Sequence, residues 1–242
     1  MLSAKLWRAE VVVQFIGFQM AFICLGGMVV GLLDKLGVKA FALPDGPGAV
    51  VVGTMCFQGV TWGLIGFFLW QHGCDWRTVF GLRDPQRRSA LAQGAVLACL
   101  LLPVLLTMQA ASAWVMTRAG LHSEQETAVQ LLEGQQSIGM RLYLGVFAVF
   151  LAPVAEEFIF RGMLFPFLKQ LGQPWLAWLG VSVLFALIHH SLIAFMPLVL
   201  LALAFTWLYE RTDNLLAPIM AHACFNGLNL GLLLVLPNAP VT

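Results

Sequence analysis

Seven apolar runs separated by short polar breaks dominate the chain. They lie near residues 11–33, 49–71, 90–116, 142–168, 175–191, 193–210 and 214–236. A helix needs about 20 apolar residues to cross a hydrocarbon core, and these runs are of that order. The pattern predicts an all-α, polytopic transmembrane helix bundle of about seven spans, with eight as the alternative count. The breaks hold most of the charge, as at Asp34–Lys35, Leu43–Gly48 and Arg83–Arg88. Two loops, His72–Ser89 and Thr117–Arg141, are long enough for structure of their own. In the second, Ser123 and Glu126 form a capping-box pattern, which predicts a short interfacial helix.

Composition narrows the class. Of 242 residues, 60% are hydrophobic and 10% charged, whereas a soluble domain carries about 25% charged residues. A soluble enzyme, a disordered tail and a disulfide-stapled secreted domain are excluded. The net charge of +1 and the lack of a basic face argue against nucleic acid as a partner. Lys5 and Arg8 precede the first run, but that run exceeds the roughly 7–15 residues of a signal h-region and no A-x-A site follows. It reads as a retained first span. Cys24, Cys56, Cys74, Cys99 and Cys224 show no metal spacing, and thiols inside apolar runs behave mainly as small hydrophobes.

Loop charge predicts orientation. With the N-terminus inside, Lys5, Arg8, Arg77, Arg83, Arg87, Arg88, Lys169 and Arg211 fall on the cytoplasmic side. Lys35, Lys39, Arg118 and Arg141 fall outside. The positive-inside rule therefore predicts N-in and C-out.

Ionisable groups inside hydrocarbon cost about 2.5–3.5 kcal/mol each on insertion scales, so each needs a reason. The fourth run holds Glu156, Glu157 and Arg161; the fifth ends Phe185-Ala-Leu-Ile-His189-His190; the seventh holds His222, Asn226 and Asn229. Glu157 and Arg161 are four apart and can pair on one helix face. Glu156 lies about 100° away and cannot share that partner equally well. His222 and Asn226 share a face, which Asn229 extends. Phe185, one turn below His189, would wall the site. His190 reads as a hydrogen-bonded or interfacial residue. The Gly172-Gln173-Pro174 turn lies midway between Glu156 and His189, so antiparallel helices hinged there put both some 15 residues, or ~20 Å, from the turn. His222 lies roughly eight residues, or ~12 Å, past a turn near Thr212–Asn214. The three groups can therefore converge in one intramembrane cavity. Taken singly, each has a structural reading: a tolerated ion pair, a hydrogen-bonded histidine, or polar glue between helices.

Glu156-Glu157-x-x-x-Arg161, Phe185-x-x-x-His189 and His222-x-x-x-Asn226, in this order, resemble the CPBP family of intramembrane proteases. That family includes the type II CAAX prenyl endopeptidases and bacterial relatives linked to bacteriocin processing and immunity. The resemblance covers about 142–236, giving a catalytic core in the last four spans, while 1–141 carries no matching motif. It implies a helical membrane fold with a cavity open toward the cytosol, in a prokaryotic plasma membrane. Glu156 and His189 would activate water, His222 and Asn226 would stabilise the oxyanion, and Glu157, Arg161 and Phe185 would support them. The substrate would be a membrane-associated or lipidated peptide or protein.

The chemistry is compatible with that reading. A carboxylate in a low-dielectric cavity suits both taking a proton from water and returning it to the leaving amine. Imidazole and carboxamide N–H groups suit a developing oxyanion. The nearest competitor is zinc on Glu156, His189 and His222, with water as the fourth ligand. A cofactor-free mechanism is preferred, because H-E-x-x-H is absent and Asn226 suits an oxyanion role. An ion-coupled carrier and a non-catalytic immunity or scaffold protein are the remaining alternatives. The polar groups form one cluster rather than a path, and no inverted repeat is visible.

Overall fold

The computed structural model describes residues 7–42, 46–121, 127–134 and 137–235. Six helices in it are long and apolar enough to cross a membrane. They are α1 (Ala9–Lys35), α2 (Pro47–Gln71), α3 (Arg87–Arg118), α5 (Ile138–Lys169), α7 (Leu192–Thr212) and α8 (Leu216–Val235). Two shorter helices bear on the site, α4 (Thr127–Gly134) and α6 (Pro174–Leu187); single turns at Lys39–Phe41 and Trp76–Val79 lie in the loops. Among the described residues there is no strand. The capping-box pair Ser123 and Glu126 lies outside the described residues, just upstream of α4.

The fifth predicted span, 175–191, differs most from its expectation. α6 has 14 residues, a length of about 21 Å, against a hydrocarbon thickness of ~30 Å. The helix ends at Leu187, so His189 and His190 belong to a turn, with His190 at a positive φ of 54°. Ser191 then caps α7 by accepting from the Ala194 N–H at 3.3 Å. The apolar run continues one residue past the helix end, to Ile188, and no Gly or Pro marks the turn, which hides it from periodicity. The other boundaries follow local rules. Gly172, at φ +91°, permits the α5–α6 turn, and Pro174 opens α6 without losing a helix bond. Asp213 ends α7 in the left-handed region, and Asn214 Oδ1 accepts the Leu216 N–H at 2.9 Å to start α8.

Three π-helical turns interrupt the long helices, at Met55–Gly59 in α2 and at Phe147–Leu151 and Phe158–Leu164 in α5. The prolines of α5 leave carbonyls without their usual donors. In π geometry the Ala148 carbonyl looks to residue 153, a proline with no N–H; Asn226 Nδ2 donates to it instead at 2.8 Å. The Gly162 carbonyl loses its α-helical donor to Pro166, and Trp7 Nε1 supplies one at 2.8 Å. In α2, buried Gln19 donates to the carbonyls of Cys56 (3.3 Å) and Phe57 (2.9 Å) and accepts from Thr61 Oγ1 at 3.0 Å. Each orphan is met by a neighbouring segment of the chain, as a bilayer requires.

α8 packs against α3 and α7, and α6 against α7. The α3–α8 crossing is close: a Cβ on Gly94 would lie 2.3 Å from the Ala217 carbonyl oxygen. One hydrophobic core joins the N-terminal and C-terminal helices, as in the Trp7–Phe68 (4.9 Å) and Phe68–Phe158 (5.9 Å) ring contacts. The bundle has two distinct ends. At one, Trp7 meets His72 at 5.3 Å, Gln170 donates to the Trp7 carbonyl at 2.8 Å, and Asn214 donates to Asp84 at 3.0 Å. At the other, Leu132, Ile138, Gly145, Leu230 and Leu233 line a common groove. Large apolar side chains such as Val13, Met28, Trp70, Leu100 and Trp114 point outward, an arrangement that lipid, not water, accommodates. The chain is a multi-pass membrane protein.

Candidate functional site

A cavity of about 210 Å³ opens between α2, α5, α6, α7 and α8. Glu156, Phe185, His189, His222 and Asn226 all line it. The sequence-predicted convergence therefore takes place. Glu157 and Arg161 sit behind the cavity wall, both 0% exposed.

The buried ion pair forms as the i,i+4 spacing predicts, with Arg161 Nη1 donating to Glu157 Oε1 at 2.9 Å. It is anchored well beyond its own helix. Arg161 Nη2 donates to the Ala202 carbonyl at 2.8 Å and Nε to Thr206 Oγ1 at 3.4 Å, which ties α5 to α7. The guanidinium also lies over the rings of Phe185 (5.0 Å) and Phe205 (5.4 Å), a favourable place for a desolvated cation. Glu157 Oε1 takes a second donor, His222 Nδ1, at 2.8 Å. This link to α8 was not legible in the spacing. It makes Glu157 the group that orients His222, not merely the partner of Arg161.

Hydrogen-bond roles settle how the two imidazoles face the cavity. A carboxylate and a carbonyl can only accept. His222 Nδ1 faces Glu157, and His189 Nδ1 lies 2.7 Å from the Phe185 carbonyl, so each ring carries a proton on Nδ1. The His189 contact also satisfies a carbonyl left over at the end of α6. His222 Nε2 is 3.9 Å from Glu156 Oε2, too far for a direct hydrogen bond. Glu156 Oε2 is buried and has no hydrogen-bond partner. Phe185 walls the site as expected, with its ring 4.7 Å from that of His189 and 5.8 Å from that of His222. Asn226 commits one carboxamide N–H to Ala148 and retains a second donor. Asn229 lines the cavity further along α8. His190 is exposed.

Among the described residues, no three His, Cys, Asp or Glu side chains stand close enough to hold a metal ion. Glu156, His189 and His222, considered above as zinc ligands, do not form such a group as they stand.

Sequence reasoning missed the contributions from outside the last four spans. Thr54 and Gln58, in α2, and Val129, Leu131 and Leu132, on α4, also line the cavity. Gln58 Oε1 is buried without a hydrogen-bond partner. Thr54 Oγ1 lies 2.5 Å from the Tyr143 hydroxyl, which joins α2 to α5. A lone carboxamide in an apolar run was the one signal available for Gln58.

Two comparisons bear on this site. A family model described as "Type II CAAX prenyl endopeptidase Rce1-like" matches residues 138–228. A Bacillus subtilis (strain 168) protein named "Putative membrane peptidase YdiL" is 28% identical over 107 residues, covering 44% of this chain and 43% of that protein. The match thus spans less than half the length of either chain. No solved structure matches significantly.

Proposed function

We propose, from the premise that residues 138–228 are a CPBP-family protease region, that this chain is an intramembrane endopeptidase. It hydrolyses a peptide bond in a membrane-associated or lipidated protein or peptide. The observation that carries the reading is Glu156: a carboxylate with an unpartnered oxygen, facing a cavity that also holds two imidazoles and a carboxamide. No structural bond accounts for that carboxylate.

In this mechanism Glu156 takes a proton from water, whose oxygen attacks the scissile carbonyl carbon. In this reading His189 holds the second water proton and orients the attack. The developing oxyanion is met by the free N–H of Asn226 and by His222 Nε2. His222 can donate there only with both ring nitrogens protonated, since Nδ1 is committed to Glu157. Glu156, Glu157, Arg161 and that imidazolium then carry no net charge. The C–N bond breaks as Glu156 returns its proton to the leaving amine. No step requires a metal ion. The protein resides in a prokaryotic plasma membrane; counting α6 as a crossing, the loop charges support N-in and C-out.

The test is terminal-peptide proteomics on membranes carrying wild-type protein or Glu156→Gln. Gln keeps the volume and removes the base, so new termini should vanish while the protein stays folded and inserted. Undiminished cleavage by Glu156→Gln would sink the assignment of the base. A solute gradient without new termini would favour the carrier.

A further inference from the structure

The resemblance implies a cavity that opens to the cytosol; the placement of charge along this chain points the other way. The end of the bundle where Trp7, His72, Asp84, Gln170 and Asn214 meet also carries Arg8, Arg77, Arg83, Arg87, Arg88, Lys169 and Arg211. These are seven of the eight cations that the charge count assigns to the cytoplasm; the eighth, Lys5, lies outside the described residues. The opposite end carries Lys35, Lys39, Arg118 and Arg141.

The cavity belongs to that second, cation-poor end. Its lining includes Thr54 and Gln58 in the first half of α2, Leu144 through Glu156 in α5, Leu198 and Leu201 in the first half of α7, and Asn226 through Leu233 toward the close of α8. α4, in the loop between α3 and α5, contributes Val129, Leu131 and Leu132. A neighbouring apolar groove shares Leu132, Gly145, Leu230 and Leu233 with the cavity and continues past Ile138 toward the same end. The floor lies at Glu156 and His222, and nothing in the lining comes from the basic end. α6 agrees with this polarity. It starts at the basic end, and its 14 residues, about 21 Å, bring the His189–His190 turn to a level short of the far face. Irregular backbone at such depth is tolerated where it borders a water-filled cavity, and His189 borders this one.

We infer that the active-site mouth opens on the extracytoplasmic face of the membrane. The substrate is therefore a peptide segment exposed there, an exported chain or an outer-leaflet segment, rather than a cytosolic tail. The apolar groove beside the mouth suits hydrophobic side chains or an attached lipid entering from the bilayer. The inference rests on the protease reading for its substrate, though not for its topology.

Two experiments separate these. In a variant with the five native cysteines replaced, Ser137→Cys marks the mouth and Gln86→Cys the basic end; both positions are exposed. A membrane-impermeant maleimide should label Ser137→Cys in intact cells and Gln86→Cys only after lysis. The reverse pattern, or equal labelling of both in intact cells, overturns the inference. A quenched peptide substrate is then supplied either outside or inside sealed right-side-out vesicles. Cleavage that depends on Glu156 is expected outside, and such cleavage only inside also overturns it. If neither side shows Glu156-dependent cleavage, the protease reading fails, and the substrate part of the inference with it.

Discussion

Replacing Arg161 with Met tests whether the buried network holds α5, α7 and α8 together. Arg161 is 0% exposed. The change removes its bonds to Glu157, Ala202 and Thr206. The Ala202 carbonyl keeps the Thr206 hydroxyl as donor at 2.9 Å, so no backbone group is stranded. The loss falls on Glu157, whose carboxylate retains only His222 Nδ1. Breaking a buried pair by removing one partner costs about 3–5 kcal/mol. At about 2–4 °C per kcal/mol for a chain of this size, the melting temperature should fall on the order of 10 °C. A thiol-reactive dye that reports exposure of Cys56, Cys74 and Cys224 would follow unfolding in detergent, since all three are partly buried. Glu157→Gln combined with Arg161→Met removes both charges and should recover most of the loss, because apolar replacement of a whole buried pair is often neutral. Activity should not recover with stability, since His222 has lost its anionic partner. A single variant melting with the wild type, or a double variant no better than the single one, would refute the reasoning.

Asn226→Ala should lower kcat by about 10²–10³ through loss of an oxyanion donor. It should also cost about 1–3 kcal/mol by orphaning the Ala148 carbonyl, and unchanged kcat would remove Asn226 from the mechanism. EDTA or 1,10-phenanthroline should leave turnover intact and elemental analysis should find little zinc, whereas a zinc enzyme would lose metal and activity together. Gly94→Val forces a side chain against the Ala217 carbonyl and should destabilise by about 1–3 kcal/mol; a wild-type melting temperature would show that the α3–α8 crossing is looser. Trp7→Phe removes the indole donor to Gly162 and should cost about 1–3 kcal/mol, seen as a lower melting temperature at unchanged KM.

The membrane-spanning character of the chain, most of its helices and the depth of its polar groups were legible because each depends on one helix at a time. Apolar run length sets the number of crossings. The turns at Gly172–Pro174 and Thr212–Asn214 are written in residues that stop and start helices, and the i,i+4 rule alone brings Glu157 to Arg161. Where one helix is read in isolation it also misleads. The apolar run through Ile188 conceals the end of α6, because no Gly or Pro stop signal stands at Leu187.

What only the tertiary structure decided concerns rotation and register between helices. Glu157 bonds His222 across α5 and α8, 65 positions apart, and no spacing rule reaches that far. Gln58 joins the cavity because Gln19 and Thr61 hold the π turn of α2 in place, a contact between helices that carry no recognisable motif. Asn226 finds Ala148 because a proline five residues further on left that carbonyl without a donor. In each case a backbone or side-chain group that cannot be satisfied locally must find a partner on a neighbouring helix, since the hydrocarbon offers none. Sequence names the group in need; packing chooses which helix answers.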